Sequence, residues 1–289
     1  MAAPAQEDSS RQREFVFTRR DFERVRDLVG EQAGIALSDI KSDMVYSRLA
    51  RRLRATGCRS FDEYLTRLEA DAAELNHFVN ALTTNLTAFF REPHHFDHLA
   101  AEALPAVMEG IQRRGAPKRI CMWSAGCSTG EEAYSMAMVA RETVPAPWEV
   151  RILATDLDTD VLQRAERGIY DAQRVKGVPT ERLRRHFLRG IGGNRGKVKV
   201  RPEVRALVEF GQLNLVQYPW HFDEPFHVVF CRNTIIYFAK ETQKELFREM
   251  RRHLVPRAWL YIGHSETLWQ VADDFDSHGR TVYRLGAAS

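Results

Sequence analysis

Apolar residues recur at three- and four-residue intervals along the first part of the chain, a pattern that predicts amphipathic helices. Thr18 and Asp21 supply a polar start signal for the first of them. The four apolar stripes contain Phe22, Val25 and Val29; Met44, Val45, Leu49 and Leu53; Phe61, Tyr64, Leu65 and Leu68; and Phe78, Val79 and Leu82. Residues 18–90 are therefore predicted to form an all-helical domain behind a polar, flexible tail at residues 1–17.

Beyond about Pro105 the pattern changes to short β-type runs separated by helical stretches. The predicted strands are Arg119–Ser124, Glu149–Thr155, Ala206–Gln212, His227–Cys231 and Trp259–Gly263, with helices near Glu131–Arg141, Asp158–Glu166 and Lys240–His253. This alternation indicates a parallel sheet with helices on both faces. Residues 91–289 are predicted to form this α/β domain, with Thr281–Leu285 as a last, antiparallel edge strand.

One stretch interrupts the alternation. Between His186 and Val204, four closely spaced glycines precede the alternating run Lys197–Val200. The pattern is typical of a β-hairpin, and a small antiparallel β insertion is predicted over about residues 186–205.

Composition narrows the class of protein. The 289 residues are 44% hydrophobic and 28% charged, as in soluble globular proteins. A formal charge of +3 is too small to indicate a nucleic-acid partner by itself. No apolar run is long enough to span a membrane, and Met1–Gln12 lacks the apolar region of a signal peptide. The four cysteines form no CxxC pair, so reduced thiols in a cytoplasmic protein are expected.

A glycine-containing turn follows the first predicted strand. Gly126 and Gly130 flank it, and their spacing does not fit the GxGxxG pattern of dinucleotide-binding turns. The next helix opens with Glu131 and Glu132, which would repel a pyrophosphate but could bind the ammonium or hydroxyl groups of a phosphate-free cofactor. The alternative is that both glutamates only complement the helix dipole.

Asp156 ends the second predicted strand. An acidic residue at this place can accept hydrogen bonds from the hydroxyl groups of a ribose. The alternative is a helix cap, for which Asp158 is better placed. Together with the glycine turn, Asp156 indicates an adenosine-containing cofactor.

Four segments of the sequence resemble the chemotaxis receptor methyltransferases of the CheR family. They are Asn80–Glu92, Ala125–Glu132, Phe230–Asn233 with Ile236–Phe238, and Gly263–Glu266, and the resemblance extends from about Thr18 to Leu285. It implies a Rossmann-like methyltransferase sheet that transfers a methyl group from S-adenosylmethionine to glutamate side chains of cytoplasmic chemoreceptor domains. S-adenosylhomocysteine is then the product. Two departures are Ala133, where the family often has Pro, and Pro256-Arg257-Ala258, where Pro-Gly-Gly is common.

The resemblance also implies roles for individual residues. Asn85, Thr87 and Arg91 are expected at the methionine end of the cofactor, Glu131 at its amino-acid portion, Asp156 at its ribose, and Asn214 and Leu215 beside its adenine and ribose. Arg232 and Asn233 are expected to close the site. Arg91 and Tyr237 match the residues nearest the reacting methyl group, and they are the predicted catalytic pair.

Residues outside this site suggest how a receptor is bound. Arg48, Arg51, Arg52, Arg54 and Arg59 lie on or beside one predicted helix with no acid among them. Glu-rich receptor helices would complement such a cluster, whereas the ordinary interpretation is a solvated helix face. The β insertion resembles the subdomain with which some family members bind a pentapeptide at the receptor C-terminus, although it can equally be an insertion without that role.

Three other functions were weighed. A non-catalytic adaptor that senses S-adenosylmethionine would not need Arg91 and Tyr237. The GxGxxG turn of an NAD(P)-dependent oxidoreductase is missing from this sequence, and a nucleic-acid methyltransferase would carry prolines where Cys231–Thr234 stands.

His94 and His98 have the spacing of two metal ligands on a helix, but methyl transfer needs no metal and none is expected. The predicted location is the cytoplasm, at membrane-bound receptor arrays.

Overall fold

The computed structural model describes residues 13–269 and 272–286. The chain divides into two compact units between Thr83 and Thr84. The tail predicted at residues 1–17 lies largely outside the described residues. The first unit ends at Thr83, a few residues before the predicted domain limit after residue 90. That predicted limit stays a proposal.

The first unit is helical. Its helices are α1 Arg19–Ala33, α2 Ser42–Thr56, α3 Phe61–Leu68 and α4 Ala72–Leu82. Thr18 and Asp21 cap α1 reciprocally: the Thr18 hydroxyl accepts from the Asp21 N–H at 3.2 Å, and the Asp21 carboxylate accepts from the Thr18 N–H at 2.8 Å. Apart from the half-buried Met44, the predicted stripes face the core. The all-helical prediction is confirmed.

The second unit is built on a seven-stranded sheet. Its strands are β1 Arg119–Ala125, β2 Glu149–Asp156, β6 Val208–Gln212, β7 Phe226–Phe230, β8 Leu254–Tyr261, β9 Phe275–Ser277 and β10 Val282–Leu285. The order is β6-β2-β1-β7-β8-β10-β9. The first five strands are parallel, β10 is antiparallel to β8, and β9 is antiparallel to β10. The Rossmann-like prediction is confirmed. The edge position predicted for Thr281–Leu285 is wrong, because β9 pairs along its outer side.

Helices cover the sheet. They are α5 Pro93–His98 and α6 Leu104–Arg113, joined by a π-helical turn, then α7 Glu131–Thr143, α8 Thr159–Arg167, α9 Thr180–His186, α10 Pro202–Arg205 and α11 Lys240–Arg252. Side chains of β1 alternate between two cores: Ile120 and Met122 face one, and Cys121 and Trp123 face the other. No helix among the described residues is long and apolar enough to cross a membrane.

The β insertion is larger than its sequence pattern indicates. It is a three-stranded antiparallel sheet of β3 Ile169–Asp171, β4 Phe187–Arg189 and β5 Lys197–Val200, with β5 in the middle. The predicted hairpin is therefore β4 and β5, while β3 comes from a segment before the predicted limits. The antiparallel character is confirmed.

Candidate active site

The sheet topology places a crevice at the carboxyl ends of β1 and β7. From β1 the chain continues outward through β2 on one side, whereas β7 and β8 continue on the other. Ligands of open α/β sheets bind where the strand order reverses in this way. The segments that leave β1 and β7 there are Gly126–Glu132 and Arg232–Tyr237.

The turn after β1 requires its glycines. Gly126 and Gly130 have φ of 91° and 90°, which disfavours side chains. A Cβ on Gly130 would lie 2.8 Å from the Cβ of Ala165, and one on Gly126 would collide with the side chain of Thr234. The Gly126 and Cys127 N–H groups both donate to the Thr155 carbonyl, at 2.8 and 2.9 Å. The turn is thus fixed against β2 and α8.

Asp156 lies beneath this turn. Its carboxylate oxygens accept from the Ser128 N–H at 2.8 Å and the Asp158 N–H at 3.0 Å. Burial raises the pKa of the Asp156 carboxyl to about 6, although these hydrogen bonds oppose the rise. Asp158 caps α8 by accepting from the N–H groups of Asp160 and Val161, as predicted, and it also accepts from the Asn85 amide at 2.7 Å. Asp156 is therefore the carboxylate that supports the turn.

The two glutamates at the start of α7 have different surroundings. Glu131 is fully buried, and its carboxylate accepts from the Thr129 hydroxyl at 2.6 Å and from Arg174 Nε at 3.0 Å. Glu132 accepts from the Ser124 hydroxyl at 2.7 Å, and its other oxygen lies 3.5 Å from Arg232 Nε. Glu131 thus holds Arg174 in this conformation, and its expected contact with a cofactor stays a proposal.

The segment from Asn85 to Glu92 is held in a tight conformation. Phe90 and Glu92 have φ of 53° and 58°, a left-handed conformation that is uncommon for non-glycine residues. The Phe90 N–H donates to the Ser135 hydroxyl on α7 at 3.0 Å, and the Arg91 guanidinium donates to the Leu86 carbonyl at 2.8 Å. Arg91 is half-buried. Its guanidinium is therefore placed by its own segment.

Arg232 connects that segment to the strand ends. It is 5% exposed, and its guanidinium donates to the Arg91 carbonyl at 2.5 Å. The carboxylates of Glu132 and Glu92 lie 3.5 and 3.8 Å from it. Its Nη1 has no partner among the described residues. Arg232 therefore carries a buried charge close to two acids, and the N–H groups of Nη1 stay available for a ligand.

Asn233 and Tyr237 follow directly. Asn233 has φ of 57°, its N–H donates to Glu266 at 2.8 Å, and its amide lies 3.4 Å from Glu92. Tyr237 ends the 3₁₀ turn Ile235–Tyr237 and is half-buried. Glu266 also accepts from the N–H groups of Gly263 and Ile236, at 2.5 and 3.3 Å. A single buried carboxylate thus fixes the loop that carries both predicted site residues.

The remaining predicted cofactor residues lie beside Asp156 or on the Asn85–Glu92 segment. Asn214 follows β6, and its neighbour Leu213 donates its N–H to the Asp156 carbonyl at 3.0 Å. The Asn214 carbonyl accepts from the Trp220 indole at 3.2 Å, and Leu215 is buried. Thr87 is half-buried between Asn85 and Arg91. The structure therefore brings the residues at the ends of β1, β2, β6 and β7 to one edge of the sheet.

Several supporting residues were missed by the sequence interpretation. Arg174 contacts a glutamate 43 residues away in the chain, and no local pattern indicates such a pairing. Glu92 and Glu266 each end a segment that resembles the family, but neither was given a role in the site. Their position at the end of such a segment was the signal that could have found them.

His94 and His98, whose spacing suits two metal ligands, each contact a different partner: the Arg280 carbonyl and the Tyr261 hydroxyl. His98 Nδ1 lies 2.8 Å from the Tyr261 hydroxyl, away from His94. Glu92, His94 and His95 bring one possible ligand atom each within 4.8 Å of one another. The cation that faces Glu92 in this structure is the Arg232 guanidinium. That the protein needs no metal stays a prediction.

Two of the five arginines proposed for docking are engaged inside the helical unit. Arg48 donates to the carbonyls of Ala81, Leu82 and Thr83 at the end of α4. Arg52 forms a bidentate pair with the buried Glu74, at 2.9 and 2.6 Å. The docking prediction needs correction for Arg48 and Arg52, because these contacts hold their guanidiniums within the unit.

The other three arginines are exposed. Arg54 pairs with the equally exposed Glu14 at 2.9 Å. The side chains of Arg51 and Arg59 face solvent without an acidic partner among the described residues. Arg51, Arg54 and Arg59 therefore stay in the proposed docking set.

Comparison with known protein families identifies the family to which this chain belongs. Residues 85–284 match the family described as CheR methyltransferase, SAM binding domain, and residues 20–83 match its all-alpha domain. The chain belongs to the CheR methyltransferase family. It is 44% identical over 267 residues to the chemotaxis protein methyltransferase of Salmonella typhimurium, covering 91% of this chain and 89% of that one. It is 45% identical to chemotaxis protein methyltransferase 2 of Pseudomonas aeruginosa, covering 93% and 94%.

Membership makes this CheR-family protein an S-adenosylmethionine-dependent methyltransferase, and its site fits that cofactor. The Ser128 hydroxyl is buried in the turn and has no partner within the described ranges. Each oxygen of Asp156 accepts one N–H and keeps capacity for another. Acids at the start of α7 suit a cationic cofactor without phosphates.

Proposed function

We propose that this CheR-family methyltransferase forms methyl esters on glutamate side chains of chemoreceptors during chemotactic adaptation. The observation that carries the proposal is the arrangement of charge at the strand ends. A turn lined by Glu132 and Asp156 lies beside a segment that presents Arg91, and Arg232 joins the two. One side of the site thus suits a cationic methyl donor and the other an anionic acceptor.

Methyl transfer to a carboxylate requires the protein mainly to position the methyl donor and the acceptor. S-adenosylmethionine supplies a methyl group activated by a positively charged sulfur. A glutamate side chain, with an ordinary pKa of about 4.3, is already an anion at neutral pH, so no residue has to remove a proton. Holding the acceptor in line can lower the barrier by several kcal/mol, with about 7–11 kcal/mol as the upper range.

Arg91 is proposed to orient the acceptor carboxylate. Its guanidinium is permanently charged and can bind both carboxylate oxygens. The hydrogen bond to Leu86 uses one of its N–H groups and leaves the others available. Tyr237, on the turn fixed by Glu266, is proposed to direct its ring or hydroxyl toward the same carboxylate. Both assignments rest on the family resemblance and on this placement.

The cofactor is proposed to lie along the strand ends. Asp156 would accept the ribose hydroxyls, Asn214 and Leu215 would flank the adenine, and the Asn85–Arg91 segment would cover the methionine end. Arg232 would close the site through its free N–H and through the Arg91 carbonyl. Glu131 would contact the cofactor ammonium only if Arg174, whose side chain is 40% exposed, moves outward.

Receptor binding is proposed to use surfaces outside the site. Exposed Arg51, Arg54 and Arg59 on the helical unit suit an acidic helical partner. The three-stranded sheet of β3, β5 and β4 is proposed, in receptors that carry it, to bind a C-terminal pentapeptide. The enzyme would then be recruited from the cytoplasm to receptor arrays.

A methyl-transfer assay tests the proposal. The protein is incubated with methyl-labelled S-adenosylmethionine and receptor-containing membranes, and base-labile label is measured. We expect label on the receptor, and a loss of at least a hundredfold in kcat/KM for Arg91→Ala, equivalent to about 2.7 kcal/mol. Arg20→Ala, at an exposed arginine outside both the site and the docking set, is the control and should retain kcat/KM. Undiminished turnover in Arg91→Ala would remove Arg91 from the chemistry.

A further inference from the structure

A basic cavity lies at the opposite end of the sheet from the methyltransferase site. Its volume is about 260 Å³, and it is bounded by one side of α6, the amino ends of β7 and β8, and the end of β10. Its charged lining consists of Arg113, Arg114, Arg257 and Arg284, and His227 lies among them. The remaining lining is apolar or glycine, and no acidic side chain contributes to it.

The positive charge of this basic cavity is largely unbalanced. Arg113 lies 3.4 Å from the exposed Glu109. Within the described part of the chain, no carboxylate pairs with the guanidiniums of Arg114, Arg257 or Arg284. Burial, and then the charge of Arg257, lower the pKa of Arg284. Partly burying the guanidinium of Arg284 beside that of Arg257 therefore costs free energy that a bound anion would offset.

Arg257 occupies a backbone conformation that favours glycine. Its φ is 65°, in the left-handed region that is unfavourable for a residue with a side chain. Strained residues persist where the surrounding structure or the function requires them, so the guanidinium of Arg257 calls for an explanation.

Neighbouring groups orient the donors. Arg284 stacks over the Trp259 ring at 4.6 Å, and its Nε donates to the Arg257 carbonyl at 3.3 Å, so its guanidinium plane is fixed. His227 Nδ1 accepts from the Cys121 N–H at 3.2 Å, and burial lowers the pKa of His227. The neutral ring therefore carries its proton on Nε2, which is a hydrogen-bond donor.

We propose that this basic cavity binds a small soluble phosphate-bearing anion of the size of pyrophosphate. The volume lies below the usual range for drug-sized ligands, of about 300–1,000 Å³. Phosphate oxygens point in several directions, so guanidiniums from α6, β8 and β10 can each pair with the same group. A carboxylate offers only two coplanar oxygens. The site is separate from the proposed methyl transfer and is independent of it.

Calorimetric titration of the full chain with pyrophosphate tests the proposal. Binding is expected for the wild type and should weaken at least tenfold in Arg257→Gly, which removes the guanidinium and relieves the backbone strain. Arg280→Gly is the matched control, because Arg280 also has positive φ, at 49°, and does not line the cavity. Its affinity should equal that of the wild type. Arg114→Gln, an exposed charge removal, should weaken binding as Arg257→Gly does.

Three results would overturn the assignment. They are no binding of pyrophosphate to the wild type, an affinity of Arg257→Gly within twofold of the wild type, or equal binding of citrate and pyrophosphate. Sedimentation with vesicles containing phosphatidic acid checks the source of the phosphate. Arg257-dependent co-sedimentation would overturn the soluble source and assign the phosphate to a lipid headgroup.

Discussion

Replacing Asp156 by Asn tests how the cofactor turn is held. Burial raises the pKa of this carboxyl from 3.8 to about 6. Between these two pH values the folded protein keeps a proton that the unfolded chain has lost, so stability falls as the pH rises through this window. Above pH ~6 both states are ionised and the full cost remains. A shift of about two units corresponds to about 3 kcal/mol, an upper limit because Asp156 is partly exposed.

Asn is uncharged at every pH, but its amide offers one acceptor oxygen where Asp156 accepts from two N–H groups, so the lost hydrogen bond lowers its stability by an amount that does not depend on pH. The stability of Asp156→Asn relative to the wild type should therefore rise with pH. Integrated over this pH window, the free energy of unfolding of Asp156→Asn relative to that of the wild type rises by about 2 kcal/mol between pH ~4.5 and ~8. The same change removes an acceptor for the ribose hydroxyls, so the affinity for S-adenosylmethionine should fall at least tenfold.

Urea unfolding followed by tryptophan fluorescence measures this difference in stability. All five tryptophans lie after Thr84, so the signal reports only on the second unit. Asp160→Asn is the matched control, because Asp160 is exposed in the first turn of α8. A difference in stability between Asp156→Asn and the wild type that stays constant with pH would refute the desolvation argument. Unchanged cofactor affinity would remove Asp156 from the ribose site.

Three further substitutions probe the turn and the helical unit. Gly130→Ala places a Cβ 2.8 Å from Ala165 at a φ of 90°, so calorimetry should show a Kd for S-adenosylmethionine raised at least tenfold; an unchanged Kd would contradict the steric argument. Arg52→Ala leaves the buried carboxylate of Glu74 without a cation. The free energy of unfolding of the helical unit, measured by circular dichroism, should therefore fall by about 2–3 kcal/mol. Arg51→Ala, at an exposed position, should lower the free energy of unfolding by less than about 0.5 kcal/mol. Equal losses in Arg51→Ala and Arg52→Ala would contradict the structural role of Arg52. Arg51→Glu with Arg59→Glu should raise the KM for receptor severalfold and leave cofactor affinity unchanged; an unchanged KM would exclude both from docking.

The fold was largely predictable because its long elements carry local periodic signals. The observed strands β1 and β2 differ from the predicted ones by a single residue at one end, and the start of α7 coincides with its prediction. The errors concern short strands. Ile169–Asp171 and Phe275–Ser277 are each three residues long, and their pairing depends on partners distant in the chain. A segment of that length shows no periodicity.

The site was predictable where it depends on motifs next to strand ends, as for Gly126, Gly130 and Asp156. It was not predictable where contacts join distant segments. The hydrogen bond from Arg232 to the Arg91 carbonyl spans 141 residues, and the one from Asn233 to Glu266 spans 33. Such contacts follow from the sheet order, which a local pattern does not contain.

The central claim concerns the methyl acceptor, and tandem mass spectrometry of the receptor tests it most directly. Receptor-containing membranes are incubated with the wild-type protein and S-adenosylmethionine, and the peptides of the receptor's cytoplasmic helices are sequenced before and after mild alkali. The account predicts methylation confined to glutamate side chains and lost on alkaline treatment. Alkali-stable methyl groups on nitrogen, or receptor peptides without methylation while the cofactor is consumed, would contradict it.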